Sequence, residues 1–143
     1  MTLRGRPSMR ALPGLRADGC THILTLLSER EGARELGDAC TAAGLGWFWL
    51  ALPNGSPPPA DVRARHEAAF PQIWSAIDAG GGVLIHCAAG IHRTGMVTYA
   101  MLRWRGFDRD AALSWLEQLR LHTRQGVVEK HLHWGDELAS GRG

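Results

Sequence analysis

Short apolar runs alternate along the chain with longer stretches in which apolar residues recur every three or four positions. THILTLL at 21–27 follows the turn signal Asp18-Gly19 and reads as a strand. A helix is predicted over Glu31 to Ala43, with Gly44 placed to cap its C-terminus. WFWLAL at 47–52 reads as a second strand. Residues 53–59, PNGSPPP, must form a loop, because consecutive prolines neither donate to a ladder nor continue a helix interior. From Asp61 a helix is predicted to about Ala79, its inner face marked by Val62, Ala69, Ile73 and Ile77. Gly80-Gly81-Gly82 ends that helix. Val83-Leu84-Ile85 has the wholly apolar pattern of a strand covered on both faces. Further helices are predicted at about 93–105, 109–122 and 127–139, with breaks at Gly106 and Gly126.

Strands separated by helices predict an α/β fold: a central, mostly parallel sheet flanked by helices. At 143 residues, with no internal repeat and no linker, residues 1–143 read as one domain. In such sheets ligands bind beyond the carboxyl ends of strands, where a helix begins. HCAAGIHRTG, residues 86–95, lies at such an end.

The residues of that stretch have a shared chemistry. Ala88, Ala89 and Gly90 are small enough for successive backbone N–H groups to turn inward as an anion nest. With Ile91, His92 and Arg93 they form the predicted phosphate-binding loop, and the N-terminus of the next helix adds its partial positive charge. Arg93 offers a planar fork that a lysine does not match. The same field favours thiolate over thiol at Cys87, which makes it a candidate nucleophile.

His86-Cys87, five intervening residues and then Arg93-Thr94 resemble the signature of the cysteine-dependent protein tyrosine and dual-specificity phosphatases. LPNGSPPP, residues 52–59, is similar to the general-acid loop of the small group that holds the cyclin-dependent-kinase-associated phosphatase and the phosphatases of regenerating liver. The resemblance covers most of the chain and is weakest before Gly19. It implies that Cys87 attacks phosphorus and forms a phosphocysteine. Arg93 and the amides of Ala88 to Arg93 then hold the equatorial oxygens, Thr94 stabilises the sulfur as leaving group, and His86 braces the loop. It implies no metal and no cofactor.

Two positions depart from the family pattern. Asn54 occupies the place of the aspartate general acid, and an amide does not donate a catalytic proton. Asp61 is the nearest carboxylate downstream, a candidate acid that is also suited by position to cap the helix after the prolines. His92 stands where many members have glycine, and a similar Lys-His-Arg-Thr-Gly ending, with Ile91 here in place of the lysine, occurs in atypical phosphatases of plants and fungi that act on inositol pyrophosphates. Three readings follow. The first is a phosphoric monoester hydrolase of the protein tyrosine or dual-specificity type. The second is a phosphoanhydride phosphatase acting on an inositol pyrophosphate or an RNA 5′ triphosphate. The third is a weakly active module that captures phosphate groups.

Composition narrows the setting. Sixteen basic residues against 14 acidic give a formal charge of +2, too balanced to argue for nucleic-acid or membrane binding. The expected partner is a phosphorylated protein or small phosphorylated substrate, met by a monomer. Cys20, Cys40 and Cys87 form no CxxC pair, and the basic start is not followed by an apolar core. Reduced thiols in a cytoplasmic protein are therefore expected, with Cys20 and Cys40 structural unless the fold brings one beside Cys87. Most of the 6 tryptophans are expected to pack in the core, and Arg103, Arg105, Arg109, Arg120 and Arg124 to lie on solvated helix faces.

Overall fold

Four strands form one sheet in the order β1-β4-β2-β3, and every neighbouring pair is parallel. They are β1 (Thr2–Arg4), β2 (Cys20–Thr25), β3 (Gly46–Trp49) and β4 (Gly82–His86). This computed structural model describes residues 1–142. Eight α-helices accompany the sheet: α1 (Leu12–Ala17), α2 (Ala33–Ala42), α3 (Ala60–Glu67), α4 (Phe70–Asp78), α5 (His92–Arg105), α6 (Arg109–Leu119), α7 (Leu121–Gly126) and α8 (Glu129–Arg142).

The two-residue period of the strands divides the core. Val83, Ile85 and Leu24 face one hydrophobic layer with Phe70, Met96, Val97 and Trp134, while Leu84 and Ile23 face the other with Leu12, Leu36 and Cys40. Both faces of β2 and β4 are thereby covered at their centres, which is why Ile23-Leu24 and Val83-Leu84-Ile85 are apolar at consecutive positions rather than alternating. Each fully buried leucine, isoleucine or phenylalanine contributes about 1.5–3 kcal/mol of transfer free energy. Helix α5 is the centre of the larger layer. Residues 93–102 are all buried, and its heaviest packing is against α8.

The structure departs from the sequence pattern in four places. The helix expected over 61–79 is two helices, α3 and α4, because Pro71 has no amide for the Glu67 carbonyl and its ring crowds the preceding turn. The helix expected over 109–122 stops at Leu119; Arg120 is extended (φ −165°, ψ 108°) and α7 restarts after it. Strand β3 ends at Trp49 rather than at residue 52, although the amides of Leu50 and Leu52 still reach the carbonyls of Thr25 and Leu26 at 3.0 and 3.1 Å. Strand β1 and helix α1 are additions. A three-residue strand with Leu3 as its one buried side chain leaves no periodicity to read.

The tryptophans divide as well. Trp74 and Trp134 are buried, but Trp115 is 43% exposed, set edge to face with Phe107.

Candidate active site

Strand β4 delivers His86 and Cys87 to the carboxyl end of the sheet, and α5 begins five residues later at His92. The turn between them is fixed from outside. The Arg6 amide donates to the Ala88 carbonyl at 2.9 Å, and the Thr123 hydroxyl donates to the Gly90 carbonyl at 2.6 Å. Arg120 Nη1 donates to the Gly90 carbonyl at 2.7 Å and to the Ala89 carbonyl at 3.3 Å. Gly90 is left-handed (φ 74°), and a Cβ there would overlap the backbone of Arg4. With the carbonyls held outward, the N–H groups turn inward. Those of Gly90, Ile91 and Thr94 reach Cys87.

Cys87 is 4% exposed. Burial by itself pushes its thiol up. The Thr94 hydroxyl, which donates to Sγ at 3.1 Å, and the three inward amides outweigh burial, so the pKa lies below its ordinary value. Thr94 is thus placed on the sulfur, as the sequence pattern anticipates.

Arg93 points both arms of its fork at one carboxylate. Nη1 meets Glu31 Oε1 at 2.6 Å, Nη2 meets Oε2 at 3.0 Å, and Nη1 also donates to the Leu52 carbonyl at 2.9 Å. Of five guanidinium hydrogens these contacts use three. The Nε–H and the other Nη2–H lie along the second edge, the geometry that matches two oxygens of a phosphate, and the guanidinium also interacts with the Cys87 sulfur. The Arg93 hydrogen bond holds the Glu31 carboxyl down at about 2, and Glu31 in turn raises Arg93. Glu31 Oε1 also accepts from the Ser28 amide and hydroxyl at 2.9 and 3.0 Å, closing a capping box on the short 3₁₀ turn Glu29–Glu31. Sequence reasoning missed Glu31. The Ser-x-x-Glu spacing was visible but announces only a helix start.

His86 is fully buried. Its Nδ1–H donates to the Cys87 carbonyl at 3.0 Å, so Nε2 is the acceptor for the Thr25 hydroxyl at 2.8 Å. Trp47 Nε1–H in turn donates to Thr25 Oγ1 at 2.8 Å. Burial drives the His86 pKa down to about 4, so the ring is neutral and acts as a brace. Thr25 and Trp47 carry no motif, and only the β2–β3–β4 register brings them into line.

The loop after β3 is tied down on one side of this pocket. Leu52 gives its carbonyl to Arg93, Arg63 Nε donates to Pro58 O at 2.8 Å, and His66 Nε2 donates to Ala51 O at 3.0 Å. Asn54 Oδ1 accepts from the Ser56 amide at 2.9 Å and so closes a local turn. Asp61 is exposed in the first turn of α3, where Pro59 is the N-cap. It therefore does not cap the helix; only its charge favours that terminus. His92 is exposed at the loop mouth with its ring stacked on His131.

Of the arginines expected on solvated faces, Arg120 instead clamps the loop, and Arg103 and Arg109 converge on Asp136. Cys40 is buried in the core layer opposite that of Cys87, with partly buried Cys20 packed against the same layer, so neither thiol backs the nucleophile. Burial pushes Cys40 up to about 11. Among the described residues, no group of three or more His, Cys, Asp or Glu side chains could hold a metal ion, and no helix is long and apolar enough to cross a membrane.

Several solved structures share this architecture. Tk-PTP in its active form superposes with a TM-score of 0.77 at 24% identity, over 95% of this chain and 88% of that one. Kinase associated phosphatase, with serine in place of its catalytic-site cysteine, gives 0.73 at 18% identity, over 94% and 79%. PTPMT1 in complex with PI(5)P gives 0.79 at 19% identity, over 97% and 89%. At these identities the likeness establishes the fold. A search of curated proteins finds no match. Residues 4–107, which include strands β2 to β4 and the whole 87–93 loop, match the family described as Tc-R-P, polymorphic toxin system, DSP-PTPase phosphatase. The chain belongs to that family, and so to the cysteine-based phosphatases of the protein tyrosine and dual-specificity superfamily.

Proposed function

We propose that the chain hydrolyses phosphoric monoesters through a phosphocysteine at Cys87. The observation that carries this reading is the surrounding of Sγ: one hydroxyl at 3.1 Å, three inward amides and the Arg93 guanidinium, which interacts with the sulfur. Sγ attacks phosphorus in line, the S–P bond forms and the P–O bond to the leaving group breaks, with that oxygen taking a proton. Arg93 and the amides of residues 88–93 match the three equatorial oxygens as charge redistributes over them. Water then attacks phosphorus, the P–S bond breaks, and the Thr94 hydroxyl donates to the departing thiolate.

The test is Cys87→Ser assayed beside the parent chain, with acid quenching during turnover to trap the phosphoenzyme. We expect an acid-stable phosphocysteine in the parent and neither intermediate nor turnover in the variant, which still binds vanadate. A fully active Cys87→Ser chain would overturn the mechanism.

Asn54 favours a second reading, cleavage of phosphoanhydrides. There the leaving group is itself a phosphate and needs less protonation than an alcohol, so an amide at this position matters less. Turnover of an inositol pyrophosphate or a 5′ triphosphate well above that of a phosphotyrosine peptide would select it.

A further inference from the structure

The turn that lacks an acid rests on a pair of histidines. A Cβ built at Gly55 would fall 2.8 Å from His92 Cβ and 3.3 Å from His131 Nε2. The two imidazoles stack with centroids 4.8 Å apart and planes 12° apart. We propose that His92 is the proton donor to the departing oxygen, and that His131 is the positioning residue that holds its ring. The inference rests on the phosphocysteine reading above and supplies the proton that Asn54 cannot.

The two rings are not equivalent. His131 is 2% exposed, and its Nδ1 accepts the Val128 amide at 2.9 Å. That lone pair is occupied, so His131 stays neutral with its proton on Nε2. Burial, the neighbouring His92 and Lys130 all push its pKa down. His92 is exposed and has solvent access for loading and reloading a proton. It is also the residue immediately before Arg93, at the first turn of α5, so its backbone is part of the phosphate loop itself.

Asn54 and Gly55 bring no titratable group to the pair. From α8 come His131 and Lys130, and from the loop Cys87 as thiolate and Arg93 with Glu31 across from it. His92 as imidazolium gives its proton to the ester oxygen as the P–O bond breaks, and as imidazole takes one from the attacking water. The proton balance closes over one turnover. A stacked neutral neighbour fixes the plane of the donor without competing for the proton, and Gly55 leaves the space both rings fill.

The experiment uses the full chain, a series of aryl phosphates of graded leaving-group pKa, and pH profiles of kcat/KM. His92→Gln should lose turnover of phenyl phosphate by about 10²–10⁴-fold. Its loss on p-nitrophenyl phosphate should be at least tenfold smaller, and its basic limb should disappear. His131→Ala should lower kcat on phenyl phosphate while keeping that limb. Asn54→Asp added to His92→Gln should recover phenyl phosphate turnover, with a new basic limb at a carboxyl pKa. Equal losses on both substrates, or a basic limb that survives in His92→Gln, would overturn the proposal. Trapping the phosphocysteine in His92→Gln shows that the variant is folded and separates the two readings. If the parent chain yields no phosphocysteine, the mechanism itself fails; if it does and leaving-group dependence is unchanged, only the role of His92 fails.

Discussion

Glu31 grips Arg93 through both carboxylate oxygens across 62 positions of sequence, at 2.6 and 3.0 Å. The carboxylate thereby chooses which edge of the guanidinium is left for a phosphate. Glu31→Gln keeps one acceptor but turns an amide N–H₂ against the fork. We expect kcat/KM to fall roughly 10- to 100-fold, the equivalent of about 1.4–2.7 kcal/mol, measured with an aryl phosphate. Because the folded carboxyl titrates at about 2 against an ordinary 4.5, its contribution to stability is present above pH 4.5 and is lost as pH falls toward 2. Denaturant titrations over that window should show a shallower loss for Glu31→Gln than for the parent. Superimposable curves would remove Glu31 from the account.

The environment of Cys87 sets a second expectation. Its pKa lies below the ordinary 9.0, so alkylation by iodoacetamide should reach its half-maximal rate below pH 9 and be slowed by bound phosphate. Thr94→Val removes the hydroxyl from Sγ and should move the midpoint upward. Alkylation that follows an ordinary thiol in both chains would contradict the inward-amide description.

His86 gives the chain a sensitivity to mild acid. A ring that titrates at about 4 when folded and at 6.5 when not favours the folded state above pH 6.5, and that advantage is lost as pH falls to 4. Thr25→Val leaves His86 Nε2 and the Trp47 indole N–H without their shared partner, at a cost of about 1–3 kcal/mol. For a chain of this length that is a fall in Tm of roughly 3 °C per kcal/mol. Trp47→Phe breaks one bond of the two and should cost less. Calorimetry on the two variants ranks them, and the opposite order would mean that packing around Trp47 outweighs the relay.

Thr123→Val should leave the Gly90 carbonyl with Arg120 alone, and Arg120→Met should leave it with Thr123 alone. Each is expected to lower kcat/KM by about tenfold through a loosened loop, since about 1.4 kcal/mol of transition-state stabilisation corresponds to that factor. The double variant should lose more than the product of the two, because the residues share one acceptor. Strict additivity would assign them separate roles.

The nucleophile loop was legible because its function is written in adjacent residues: a strand, Cys87, small residues, Arg93 and a helix are contiguous. Glu31, Thr25, Trp47 and Arg120 were not, because each acts through space and its local sequence has an ordinary explanation. Ser28 to Glu31 looks like a cap and is one; that the same carboxylate holds Arg93 depends on how β2 and β4 pair. The helix over 61–79 failed for a different reason. Apolar spacing continued across the Ala68-Ala69 junction, and the local cost of Pro71 outweighed it. Arg120 was misread because an exposed-looking arginine at a helix end reveals nothing of which backbone it reaches.

Strand β1 has a consequence for when the site comes into being. Residues 4–6 hold the loop on one flank and residues 120 and 123 on the other, so the socket is closed by segments far apart on the chain. Contacts of that separation form late, after loop-closure entropy has been overcome. During synthesis Cys87 therefore emerges before half of its support exists. A nascent chain halted near residue 110 carries the complete signature yet lacks the Arg120 and Thr123 clamp, so competence should appear abruptly as α7 folds rather than gradually with length.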